Sequence, residues 1–135
     1  MQRSLFRRLV RLRWQDGPMP EDQQIEIREI TRRLIAGLGP TLVAGLAGST
    51  DRTISRLWSQ LGGPLPSDNE EQRLLCAYAQ WSAVAPAEGE DVARRWFIGS
   101  NPWLGQDTPV DAISEGRFRE VAVAAAAMVN DEFAG

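Results

Sequence analysis

Residues 44–57 read A-G-L-A-G-S-T-D-R-T-I-S-R-L, and their spacing is that of a helix-turn-helix. A small residue stands at Ala44, a glycine four places on at Gly48, and a β-branched apolar residue six further at Ile54. Ala44 permits two helices to approach closely. Gly48 suits a turn with positive φ, which strains a residue carrying a Cβ by about 1 kcal/mol or more. Ile54 anchors the second helix on the first and leaves the opposite face free for a DNA groove. An ordinary αα-hairpin with a glycine turn carries the same pattern, so the spacing points to DNA without requiring it.

On the DNA reading, the recognition helix covers residues 51–59. Ile54 and Leu57 face inward on the helical period. Thr50, Arg52, Thr53, Ser55, Arg56 and Ser59 are then the candidates to touch DNA. Arg52 and Arg56 lie four apart, on one helix face, and arginine reads guanine bidentately with ~1–3 kcal/mol of base discrimination. The hydroxyl residues suit phosphates or base edges. Asp51 is expected to cap this helix rather than read a base. The alternative for the two arginines is an ordinary solvated helix face.

Outward from this core the chain reads helix after helix. Residues 3–14 put Leu5, Phe6, Leu9 and Leu12 on one stripe and Arg7, Arg8, Arg11 and Arg13 largely on the other. That segment can pack on a second subunit, lay arginines on a DNA backbone, or rest on an acidic membrane surface, and packing is the expected use. A second helix spans residues 21–38, opened by Glu21 and Asp22, with Ile27, Ile30, Leu34 and Leu38 at three- and four-residue steps. Gly39-Pro40 separates it from the helix-turn-helix, and Pro40 suits the first turn of the next helix.

Residues 62–67, G-G-P-L-P-S, form the clearest linker. Ser67 or Asp68 is expected to cap a helix running to about Val84. Further helices are expected over residues 90–98, 109–114 and 117–130, with a Gly-, Asn- and Pro-rich loop before Thr108. Trp96, Phe97 and Ile98 are expected in the core. No stretch alternates as a strand does. The fold class expected is all-α: a helical extension over residues 1–38, a helix-turn-helix over 39–63 and a small helical domain over 64–135.

Composition narrows the function. The chain has 135 residues, 43% hydrophobic and 24% charged, ordinary for a soluble domain. No apolar run reaches the ~18 residues of a membrane span, and the Arg/Leu-alternating start is unlike a secretory signal. There is no histidine, which removes His bases, His metal ligands and Ser-His or Cys-His pairs. Carboxylate-only catalysis is left, but Glu70-Glu71 and Glu90-Asp91 sit at expected helix starts, where they favour the positive end of the dipole, so no catalytic residue, metal ligand or cofactor is expected, nor enzymatic activity. The single Cys76 excludes an internal disulfide and suits a reducing cytoplasm; it reads as a buried structural thiol. The net charge of −3 divides unevenly: residues 1–60 hold ten Arg against six acids, and residues 61–135 hold five Arg against twelve. A basic half can face phosphate while an acidic half is left for another partner.

Residues 92–121 read V-A-R-R-W-F-I-G-S-N-P-W-L-G-Q-D-T-P-V-D-A-I-S-E-G-R-F-R-E-V. This stretch resembles the toxin-binding domain of the Xre/MbcA/ParS antitoxins at Trp96, Asn101-Pro102, Leu104, Thr108-Pro109, Asp111, Ile113, Gly116 and Val121. With the helix-turn-helix the resemblance covers about residues 40–130. It implies a cytoplasmic homodimer that represses its own promoter and uses its C-terminal part to occlude a RES-type toxin, which degrades NAD. Carried over, Trp96, Asn101, Pro102 and Trp103 and the tail residues Asn130, Asp131, Glu132 and Phe133 form the toxin-binding part. The acidic tail N-D-E-F-A-G is not a simple match, and most of the motif also makes sense as fold-building turns and caps. Two other readings stay open: a stand-alone, prophage-type helix-turn-helix regulator that uses the C-terminal domain for dimerisation, and an adaptor that binds no DNA.

Overall fold

The computed structural model describes residues 19–130. Every regular element among them is helical. They are α1 (Glu21–Leu38), α2 (Pro40–Leu46), α3 (Ile54–Trp58), α4 (Asp68–Glu88), α5 (Glu90–Ile98), a 3-10 turn (Pro102–Leu104), α6 (Pro109–Ser114) and α7 (Phe118–Val129). The protein is all-α over this span. The basic segment expected over residues 3–14 lies outside the described residues, as do Asp131, Glu132 and Phe133.

Local chemistry explains most boundaries. Glu21 and Asp22 sit where the positive end of the α1 dipole favours them, and Gly39 stops the helix ahead of Pro40. Pro40 then occupies the first turn of α2, where its missing N–H is no loss. Ser67 and Glu70 close a reciprocal capping box at the start of α4. The Glu70 N–H donates to Ser67 Oγ at 3.2 Å, and the Ser67 N–H to Glu70 Oε1 at 2.8 Å. Thr108 caps α6 through its hydroxyl oxygen, which accepts the Asp111 N–H at 3.0 Å.

Helix α4 runs past the expected end at Val84 and through Pro86 to Glu88. Pro86 is exposed and falls in the last turn, so little of the helix remains to be broken. The helix closes when the Gly89 N–H donates to the Ala85 carbonyl at 2.8 Å.

One hydrophobic cluster joins all parts of this span: Ile27, Ile30 and Leu34 of α1, Val43 and Leu46 of α2, Trp58 of α3, Leu74, Leu75 and Trp81 of α4, Phe97 of α5, Ile113 of α6 and Val121 of α7. The boundaries expected at 38/39 and 63/64 thus fall between helices and not between separate cores. α4 lies at the centre, packed on α1, α5 and α7. Its Trp81 lies so close to α1 that a Cβ at Gly37 would stand 2.5 Å from Trp81 Cζ2. Only glycine permits that approach. Phe97 is fully buried, its ring 5.0 Å from that of Trp96 in an edge-on arrangement and 6.1 Å from that of Trp81. Burial of such a ring stabilises the fold by about 1.5–3 kcal/mol. Cys76 is buried as expected, and desolvation pushes its thiol up to about 12. Ile98, expected in the core with Trp96 and Phe97, is 51% exposed: α5 ends there and its inner face is already taken by the two aromatics.

Candidate nucleic-acid interface

The end of α2 and the turn that follows it are shaped by two small residues, Ala44 and Gly48. Ala44 is fully buried, which lets α2 lie close to its neighbours. Gly48 adopts φ +95°, the left-handed conformation the spacing called for. The Gly48 N–H donates to the Gly45 carbonyl and the Ser49 N–H to the Ala44 carbonyl, both at 3.0 Å, closing the end of α2.

Asp51 then organises the turn. Its Oδ1 accepts the Thr53 N–H at 3.0 Å and the Thr53 hydroxyl at 2.9 Å. These bonds, the backbone one first, hold its carboxyl below the usual carboxylate range. Asp51 therefore braces the turn ahead of the helix and is not its cap. α3 begins only at Ile54, three residues later than expected, and has five residues.

The face turned to the protein consists of Ile54, Ser55 and Trp58. Ile54 is half-buried and Trp58 is buried. Ser55 is also buried, and its hydroxyl donates to the Pro40 carbonyl at 2.7 Å. It fastens α3 to the start of α2 and cannot reach DNA, which corrects its place among the DNA-touching candidates. Leu57 is corrected in the opposite sense. Expected inward, it is 40% exposed, because Trp58, one position on, fills the core instead.

The remaining candidates differ in how free they are. Thr50, Arg52, Thr53 and Arg56 are exposed. The Thr53 hydroxyl is occupied by Asp51, and half-buried Ser59 gives its own to the Arg56 carbonyl at 2.7 Å. Arg52 and Arg56 make no hydrogen bond or ion pair within the described residues, and of the other described arginines only Arg119 shares that condition.

Arg28 had no place in the sequence reading and has one here. It is 5% exposed, donating from Nη1 to the Trp58 carbonyl at 2.9 Å and from Nη2 to the Gly63 carbonyl at 2.7 Å. The cation sits at the C-terminal end of α3, where the helix dipole favours it, and ties that end to α1. Its position on the apolar side of α1, next to Ile27, was the only available signal.

The residues assigned to partner binding separate into two groups. Trp96 and Asn101 are buried, so neither is placed to touch a partner, and this corrects their assignment. Asn101 is the knot of the following loop. Its Oδ1 accepts the Trp103 N–H at 2.9 Å, its carbonyl accepts from Leu104 and Gln106, and its N–H donates to the Asp107 carbonyl. Arg117 braces the same loop, donating to Asp107 Oδ2 at 2.8 Å and to the Leu104 carbonyl at 3.2 Å. It also pairs with Glu115 and Glu120, and the bond to Glu120 holds that carboxyl below its usual range. Pro102 and Trp103 are presented on this frame, Trp103 at 43% exposure. Asn130 is exposed just beyond α7.

No group of residues suited to hold a metal ion occurs among the described residues, and no described helix is long and apolar enough to cross a membrane. No protein-family model matches the chain, and no curated protein or solved structure matches it either.

Proposed function

We propose that this protein binds double-stranded operator DNA through α2, its turn and α3, as the antitoxin of a type II toxin–antitoxin system. In this reading it represses its own promoter as a homodimer, and its C-terminal helices occlude a RES-type, NAD-degrading toxin in the cytoplasm. It is a binding protein and not an enzyme. The observation that carries the DNA part is the pair Arg52 and Arg56: two exposed, unpaired cations, one in the turn ahead of α3 and one within that short helix, whose other side is fastened to the core. Arginines held this way are available to phosphates and to guanine O6 and N7. The partner part rests on the resemblance of residues 92–121 and on the braced loop that presents Pro102 and Trp103, since exposed aromatics on rigid frames serve well as interface anchors.

Two measurements test the reading. Operator affinity of Arg52→Ala and Arg56→Ala is expected to fall by about 10- to 100-fold each, with lost discrimination at one base position; unchanged affinity rejects DNA recognition by this helix. Co-purification from the native host is expected to recover a stoichiometric NAD-degrading partner, and its toxicity is expected to escape neutralisation by Trp103→Ala. Recovery of DNA and the chain alone replaces the antitoxin with a stand-alone regulator.

A further inference from the structure

We propose that Leu57 reads the C5-methyl group of a thymine in the major groove of the DNA, an inference that rests on the DNA-binding reading above. The outward face of α3 and its immediate continuation consists of Thr53, Arg56, Leu57 and Gln60, spaced three and four apart and all exposed. Arg56 carries unpaired donors, Gln60 adds an exposed amide, and the Thr53 hydroxyl is spent on Asp51. Leu57 is the apolar member of those four, and Leu61, 80% exposed, follows four positions on, beyond the helix. The displacement of Leu57 by Trp58 from the core leaves a branched apolar side chain exposed next in sequence to Arg56, whose guanidinium is free.

That combination has few complements. An apolar protein surface would satisfy Leu57 and strand Arg56 on the same helix. A second copy meeting through this face would bring Arg56 against its own counterpart, a like-charge contact that opposes association. The major groove offers what both need: polyanionic walls, acceptors on guanine, and the thymine methyl as the apolar feature among base-edge donors and acceptors. Leu57 thus adds a thymine requirement next to the guanine that Arg56 selects.

The test alters the DNA before it alters the protein. A duplex is selected with the full chain from a random-sequence library, and each thymine in it is replaced singly by deoxyuridine, which removes only the methyl group. At one position the wild-type chain is expected to lose about fourfold in affinity, the contribution of one buried methyl. Leu57→Ala is expected to bind the thymine and deoxyuridine duplexes equally, and both about as weakly as the wild type binds the demethylated one. If no position separates wild type from Leu57→Ala while both still bind the selected duplex, the methyl contact is wrong and the DNA reading stands. A selection that enriches no duplex overturns both. A wild-type dimer that becomes a monomer on Leu57→Ala, with methyl-insensitive binding, gives Leu57 to a protein interface and overturns the proposal.

Discussion

Residues 47–53 and residues 99–108 are both long connections between helices, and they treat their polar groups in opposite ways. In the second, Asn101 spends its side chain and both backbone groups on the loop itself, and Arg117 closes the frame from outside. In the first, Asp51 and Thr53 satisfy each other, but Arg52, like Arg56 in the helix that follows, is left to water. Exposed guanidinium groups lose nothing by this, because water is a full partner. The contrast separates the side chains that build the molecule from those that stay available. A surface for binding is recognised by what the fold declines to use.

Substitutions measure how deep that division runs, beginning with the side chains that build. Phe97→Ala opens a cavity between Trp81 and Trp96 and is expected to cost about 3–5 kcal/mol in denaturant unfolding. A loss near zero would mean that the aromatic cluster is not what fixes α4 against α5. Arg28→Met keeps the apolar stem but leaves the Trp58 and Gly63 carbonyls without their donor, at a cost of about 1–3 kcal/mol. The same change is expected to weaken DNA binding, although Arg28 is buried away from the outer face of α3. Retained affinity at reduced stability would show that α3 keeps its orientation without this tie.

A pH titration probes the same buried centre. The Cys76 thiol keeps its proton to about pH 12 in the folded protein and ionises near 9 when unfolded. Between those values the unfolded chain binds fewer protons, so stability declines by up to about 1.4 kcal/mol per pH unit. Below pH 9 the thiol contributes no slope. Unfolding of wild type and Cys76→Ala between pH 8 and about pH 11 reads this as a steeper decline in the wild type; parallel curves would place the thiol in contact with solvent. At the exposed start of α4, Ser67→Ala removes one half of the capping box and is expected to cost about 1 kcal/mol.

Where local chemistry decides the outcome, the sequence shows it. The limits of α1 follow from an acidic pair and Gly39-Pro40, those of α6 from Thr108-Pro109, and the turn at Gly48 from its spacing. The candidate site was legible in outline, and its errors have two physical causes. From Ile54 the helical period admits both Leu57 and Trp58 as the next inward residue, and the larger side chain takes the core. Hydrogen bonds between distant segments have no period at all. Nothing near Ser55 signals the Pro40 carbonyl fifteen residues away, and nothing near Arg28 signals Trp58 or Gly63. Conversely, Trp96 and Asn101 stood out as a motif because the fold needs them, and the fold then hides them.

The smallest effect on stability is expected where the effect on binding is largest. Arg52→Ala with Arg56→Ala removes no described hydrogen bond or ion pair, so unfolding free energy is expected to stay within about 0.5 kcal/mol of wild type. DNA affinity is expected to collapse in the same variant, and the salt dependence of what remains to flatten by about one unit of slope for each arginine that had faced a phosphate. An arginine that reads only guanine leaves the slope alone and instead relaxes the preference at its base. The two single variants therefore assign each cation its role. Should the double variant lose stability as well, the arginines belong with the braced loop, and the distinction between used and unused side chains fails at the place where it matters most.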